Sequence, residues 1–482
     1  MTETVLDAEK RLSLSLLWTL QCDAYRQFGI GAWSKKGVPS YITSNSFIAK
    51  CYAHVVLGYF RDGFDQKVFD FNHPVYLFDL GAGTGRFAYL FLKELFRLIG
   101  EGPLTQIKLC YVMTDIAEDN IDFWQNHSYL KPYFEQGLLD CAKFHHSQSQ
   151  PIHLLGKNKS LNPDNVVNPI VVIANYFFDT IPQDLFRVHN GMLEEGRITL
   201  LTRNDALSAP LDPDIINHLK FKYSYHPITA PTNYYEDEDE NAILEMYRTE
   251  FNDITFLFPT GAFQVLRTFR NLSHSRMLFL AGDQGVYTTE QVKHWGNPIV
   301  ALHGSFSIAV SYHAISALIN RYGKALISTF SDPAFVVMGG ILIQDGKGGF
   351  RETELAFQEH IDSFEPTEYW RFVSIAEKEW KAPPLSYLLL LIKLGNWDVM
   401  SLHAFFALIR ASIPNATESE KKRLAETIHR AWENYYPVAP EEESFIKNLG
   451  TLLIEMGYFD QAAIYFHRAT QIPAITKKIV KS

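Results

Sequence analysis

Asp79, Gly81, Gly83 and Gly85 stand in the segment LFDLGAGTGRFAYLFLKEL, residues 77–95. Alternating glycines after an acid give a backbone that reaches positive φ and carries no Cβ, so its N–H groups can approach a ligand closely. Spacing separates the ligands such a turn holds. A dinucleotide fingerprint needs G-x-G-x-x-G, and Arg86 stands where its third glycine would be. A triphosphate loop needs G-K-[ST] after its glycines, which is absent. Asp115 ends a second apolar run, KLCYVMTD. A carboxylate at a strand's C-terminal edge accepts hydrogen bonds from both hydroxyls of a ribose, and the same residue suits the N-cap of a helix over AEDNIDFW. Ile116 then lies beside a flat ring on that ribose. Asn175 ends a third run, IVVIAN, and Tyr176, Phe177 and Phe178 follow as core or as a channel wall, with Asp179 beyond.

These residues meet only if the three runs are parallel neighbours, because ligands of open α/β sheets bind beyond the carboxyl ends of the strands. The pattern supports that arrangement. From residue 75 to about 345, β-branched runs alternate with helical segments: VYLFDL, KLCYVMTD, AKFHHS, NPIVVIAN, SRMLFLAGD, ALISTF and AFVVMGGILIQ. The stretch DLFRVHNGMLEEGRITLLT reads as a hairpin, two strand-like runs flanking a Gly-containing turn. RFAYLFLKELFRLIG repeats apolar residues at helical spacing and can end at Gly100. NYYEDEDENA is an exposed loop or helix start without chemistry. Three regions follow: a helical cap over 1–72, a mostly parallel α/β domain over 73–351, and an all-α region over 352–482. Within the last, NLGTLLIEMGYFDQAAIYFHRATQIP resembles a tetratricopeptide repeat at Leu449, Gly450, Gly457, Ala462, Phe466 and Ala469.

The 482 residues carry a formal charge of −10, which argues against coating nucleic acid or an anionic membrane. The four cysteines, Cys22, Cys51, Cys110 and Cys141, form no C-x-x-C pair, so neither a disulfide framework nor a zinc site is expected. A reducing, cytoplasmic setting is the expectation. The start of the chain is acidic, unlike a signal peptide, and no run is long enough to span a membrane.

The D-x-G-x-G-x-G turn resembles the first motif of class I S-adenosylmethionine-dependent methyltransferases, whose turn holds the methionine part of the cofactor. Three segments together resemble the MidA-like family of these enzymes, which includes a mitochondrial protein-arginine methyltransferase needed for respiratory complex I assembly. YITSNSFIAKCY is similar to the family's T-S-P segment at Thr43 and Ser44, with Asn45 for proline. ANYFFDTIPQDLF matches A-N-E-x-x-D-A-L-P-x-x-x-F at Ala174, Asn175, Asp179, Pro182 and Phe186. HGSFSIAVSYHAI is a looser likeness to a late His-containing segment.

The resemblance implies a class I methyltransferase (Rossmann-like) sheet and S-adenosyl-L-methionine as cofactor. It implies a cofactor site of Asp79, Gly81, Ala82, Gly83, Gly85, Asp115, Ile116, Asn175 and Ser44. Trp33, Tyr41, Ser44 and Asn45 would close over it. Methyl transfer is an in-line displacement that needs alignment first, and Asn175, Tyr176, Asp179 and His303 are the catalytic candidates. Tyr176 replaces the family's glutamate, removing a carboxylate that orients a guanidinium. The function implied is methylation of a protein side chain, with the helical tail recruiting a protein partner. The alternative is a catalytically inactive methyltransferase-like scaffold or assembly factor that docks partners through its tail. A nicotinamide oxidoreductase would need a glycine at Arg86.

Overall fold

The structure, a computed structural model, describes residues 3–100, 102–148, 151–203, 212–328, 336–343, 349–439 and 443–477. In chain order, the elements that position the site are strand β1 (Glu3–Arg11), helices α1 (Leu16–Phe28) and α2 (Ser46–Asp65), β2 (Val75–Leu80), α3 (Arg86–Ile99), β3 (Leu109–Asp115), α4 (Glu118–Asn126), β4 (Leu139–Lys143) and β5 (Ile170–Asn175). They continue with β6 (Asp184–His189), β7 (Met192–Arg203), β8 (Lys220–Pro227), β9 (Ile254–Phe258), β10 (Met277–Val286), β11 (Gly323–Ile327) and β12 (Val336–Ile343).

The central sheet runs β11-β12-β10-β5-β2-β3-β4 and continues into two short strands, Ile152–Leu154 and Lys159–Leu161. The strands β10, β5, β2, β3 and β4 are parallel, and β12 is antiparallel to both its neighbours. This is the mostly parallel sheet that the sequence implied. The chain leaves β2 toward β3 on one side and later returns to β5 on the other, so the strand order reverses at β2. Alternate residues of each strand feed opposite cores. Val75 and Leu77 join α2 and α3, while Tyr76, Phe78 and Leu80 join Thr260–Leu272 and Tyr312–Ile319.

Every anticipated central strand is present, shifted by a few residues. The run AKFHHS is strand only at its start, because β4 begins earlier, at Leu139. Residues 329–330, 334–335 and 344 of the last two runs lie outside the described residues. The hairpin β6–β7 forms as expected, with Asn190 at φ +50° and Gly191 at +71°, as a tight two-residue turn requires. The N-terminal region differs from a purely helical cap. Residues 3–11 form β1, which pairs antiparallel with β7, and Arg11 Nε donates to the buried Asp184 carboxylate at 2.8 Å. The weak alternation of ETVLDAEKR hides this strand; its long-range partner creates it. Strands β8 and β9 complete the second sheet.

The helices after residue 351 share one core with the sheet. Leu388, Ile392, Leu424, Ile428 and Leu452 belong to the same buried cluster as Phe47, Val56 and Phe91. Polar ties cross the same boundary: Asp62 accepts from Thr353 Oγ1 at 2.6 Å, and Asp398 accepts from Tyr41 Oη at 2.5 Å. The helices Glu443–Glu455 and Phe459–Lys477 form an antiparallel pair, with Gly450 against the Phe466 ring. Among the described residues no helix is long and apolar enough to cross a membrane.

A shared core makes the unfolding of tail and sheet one event. Leu388→Ala, at a fully buried position, is expected to destabilise the whole chain by about 2–5 kcal/mol. Denaturant curves followed by far-UV and near-UV circular dichroism should shift together; separate transitions would show an independent tail.

Candidate functional site

Beyond β2 the chain turns sharply through Gly81 (φ +65°), Gly83 (+55°) and Gly85 (+77°), all left-handed, where a side chain is strained. Space is also short. A Cβ on Gly81 would sit 3.2 Å from the Phe177 ring, and one on Gly83 3.1 Å from the Trp33 indole. Gly85 is not part of the cavity wall: its α-carbon packs toward Met113, Trp124 and Tyr436, so its role is to let α3 lie close on the sheet. The expectation of free N–H groups needs correction as well. Ala82 N–H donates to Thr114 O at 3.0 Å and Gly85 N–H to Ala82 O at 2.9 Å. The turn's carbonyls are held from outside, Gly83 O by Trp124 Nε1 at 2.8 Å and Thr84 O by Tyr436 Oη at 3.0 Å. What the turn offers a ligand is a low, rigid rim.

That rim borders a cavity of about 300 Å³, the lower end of the range for small-molecule sites. Ser44, Asp79, Gly81, Ala82, Gly83, Asp115, Ile116, Asn175, Tyr176, Asp179 and His303 all line it. Of the N-terminal residues expected to close over it, Trp33 and Ser44 line the cavity. Tyr41 and Asn45 do not: Tyr41 donates to Asp398, and the fully buried Asn45 caps α2 by accepting from Ile48 N–H at 3.0 Å.

The polar groups of the wall are pinned. Asp79 accepts from Tyr111 Oη at 2.9 Å, and burial raises its pKa to about 7. Asp115 accepts from Ala117 N–H at 3.0 Å and from Asn120 Nδ2 at 2.8 Å. Asp115 lines the cavity but does not cap α4 as the sequence suggested: the N-cap is Ala117, without a side-chain cap, and the Asp115 carboxylate braces the chain just before the helix. Burial raises its pKa, and these hydrogen bonds oppose the rise. Asn175 accepts from Tyr52 Oη at 2.9 Å and donates to Thr43 O at 3.2 Å, which fixes its amide. Tyr176 holds φ +49° while its N–H donates to Gly282 O at 2.8 Å. A left-handed tyrosine is strained, and such strain gathers at functional sites. Burial keeps its phenol protonated and His303 neutral at pH 7.

Some wall residues were not anticipated. Gln21 and Tyr25 project from α1 at helical i, i+4 spacing, and Gln21 is fixed by two hydrogen bonds to the Phe306 backbone, at 2.6 and 3.1 Å. Phe144, His145 and His146 follow β4. Asp283, behind Asp179 and within β10, ends the apolar run SRMLFLAGD, and an acid closing an apolar run was the available signal. Among the described residues no group of three or more His, Cys, Asp or Glu is placed to hold a metal ion.

No protein-family model matches the chain, and no curated protein is similar to it. The chain is similar at low identity to solved structures that include the following two. One is an uncharacterized protein of the COG1565 superfamily from Burkholderia thailandensis, with 12% identity and a TM-score of 0.41 over 70% of this chain and 89% of that one. The other, from the same organism and superfamily, is described as a "likely methyl transferase" bound to S-adenosyl-homocysteine; identity is 14% and the TM-score 0.35, over 66% of this chain and 80% of that one.

The raised pKa of Asp79 fixes a sign. With the folded value near 7 and the ordinary value 3.8, folding favours the protonated acid. The stability linked to Asp79 is therefore present below about pH 4 and is lost as the pH rises to about 7. Asp79→Asn, which resembles the neutral form, is expected to flatten that part of the pH dependence and to be more stable than the parent above pH 7. Urea midpoints from pH 4 to 8 check this, and an unchanged slope would contradict it.

Proposed function

We propose that this cavity binds S-adenosyl-L-methionine and that the chain is a methyltransferase acting on a protein side chain. One observation carries the reading: the glycine rim of β2, Asp115 of β3 and the segment Asn175–Asp179 after β5 converge on a single cavity at the point where the strand order reverses. When bound, S-adenosylmethionine supplies a methyl group on a positively charged sulfur, open to in-line displacement.

The chain's own residues divide the work. Gly81, Ala82 and Gly83 leave room for the methionine part, and Asp79 faces its amino group. Asp115 takes the ribose hydroxyls, and Ile116 covers the adenine. Asn175, held at both ends of its amide, and the strained Tyr176 orient the reacting centre. His303, neutral at pH 7, is a wall residue able to accept a proton from the methyl acceptor, as are His145 and His146. Exposed Tyr387, Leu390, Leu394, Phe459 and Ile464 give the helical region apolar surface for a protein partner.

Calorimetry with S-adenosylmethionine and S-adenosyl-homocysteine tests the reading. Both are expected to bind, and Asp115→Ala to weaken both about 10- to 100-fold by loss of charged hydrogen bonds. Transfer of labelled methyl groups to proteins in a lysate should disappear in Gly83→Arg, which fills the rim. Failure of both ligands to bind would sink the proposal; binding without labelling would favour a scaffold.

A further inference from the structure

Three acids, Asp79, Asp115 and Asp179, line the cavity, and no described lysine or arginine does. Behind Asp179 lies Asp283 on β10; both are buried, at 4% and 0% exposure. Asp179 N–H donates to Asp283 Oδ1 at 3.3 Å, which makes the two acids neighbours. Tyr312 Oη donates to Asp283 Oδ2 at 2.8 Å. Asp179 Oδ1 is fully buried without a hydrogen-bond partner among the described residues, and neither acid has an ion pair there.

Two adjacent buried carboxyls with no cation beside them cannot both be ionised, so the pair retains a proton. Burial and mutual repulsion hold Asp179 well above the usual carboxylate range, and burial raises Asp283. The titratable side chains that face the pair are Tyr25 of α1, Tyr52 of α2, Tyr176 beyond β5, and Tyr312. None of them supplies a positive charge. The segment also lies against the glycine rim, because the Phe177 ring touches Gly81.

We propose that the Asp179–Asp283 pair is a proton-linked site for a sulfonium cation: it holds one proton in the free protein and yields it to solvent when a sulfonium occupies the cavity. This inference rests on the reading of the cavity given above. Its consequence is discrimination by charge. With the sulfonium present, the second carboxylate is compensated by the positive sulfur; after methyl transfer the sulfur is neutral, the pair takes a proton back, and the product loses that attraction.

The two ligands isolate this effect, since S-adenosylmethionine and S-adenosyl-homocysteine share the amino group that faces Asp79 and differ in the charge on sulfur. Titrations of the full chain at pH 7 in buffers of different ionisation enthalpy count the protons released on binding. S-adenosylmethionine is expected to release up to about one proton more per chain than S-adenosyl-homocysteine. The excess should vanish in Asp283→Asn, which leaves the cavity wall unaltered, while S-adenosyl-homocysteine still binds, and it should vanish in Asp179→Asn as well. Equal release by the two ligands, or an excess that survives in both variants, overturns the inference and leaves the cavity's assignment standing. Absence of binding by either ligand overturns both. Should a variant fail to fold, the comparison in the unaltered chain decides alone.

Discussion

The glycine turn is stable only because side chains from elsewhere hold its carbonyls. Three left-handed residues in a row of five cost conformational entropy, and the turn's own hydrogen bonds leave Gly83 O and Thr84 O unsatisfied. Trp124 of α4 and Tyr436 of the helical region donate to these two atoms. Tyr436 is itself fixed by stacking on His127, with centroids 4.1 Å apart, and His127 Nε2 donates to Pro437 O at 2.8 Å. The rim of the cavity therefore depends on residues more than 300 positions along the chain. A buried carbonyl left without a donor costs roughly 1–3 kcal/mol, so the turn and the tail stand or fall together.

The same dependence explains the buried polar groups of α2 and the segment before it. Asp398 accepts from Tyr41 Oη and from Ser46 N–H, at 2.5 and 3.2 Å. Asn45 folds back on Tyr41 O and Ile42 O. These bonds set the path of residues 40–46, which brings Ser44 to the cavity and puts Thr43 O where the Asn175 amide finds it. Residues that look like ligand contacts in the sequence thus serve one shell further out. They shape the backbone that the ligand would touch.

Legibility followed the range of the interactions. Asp79, the glycines, Asp115 and Asn175 sit at the ends of strands whose apolar runs are local and continuous, so the sheet and the edge that borders the cavity could be read from spacing. The hairpin was legible for the same reason, because Asn-Gly dictates its own turn. Strand β1 was not, since ETVLDAEKR becomes a strand only through β7, nearly 200 residues away. That Gly85 lies off the cavity was not legible, because spacing shows that a position needs positive φ and does not show which side of the turn faces the cavity. Trp124, Tyr111, Tyr52 and Tyr436 carry no local mark at all. Each is an aromatic residue that packs like core and places one polar atom on the site.

The wall's charge then follows from its position at the sheet. Acids that end parallel strands gather at one edge: Asp79 from β2, Asp115 from β3 and Asp283 within β10, with Asp179 just beyond β5. In a solvated cleft they would ionise independently. Here they are buried, and what compensates them is hydroxyl and amide donors: Tyr111 for Asp79, Asn120 for Asp115 and Tyr312 for Asp283. Such donors lower the cost of burying a carboxylate without cancelling its charge. Among the described residues, Asp179 Oδ1 has no hydrogen-bond donor. A cavity built this way keeps protons it would lose in water, and it favours a ligand that brings positive charge to the end of β5.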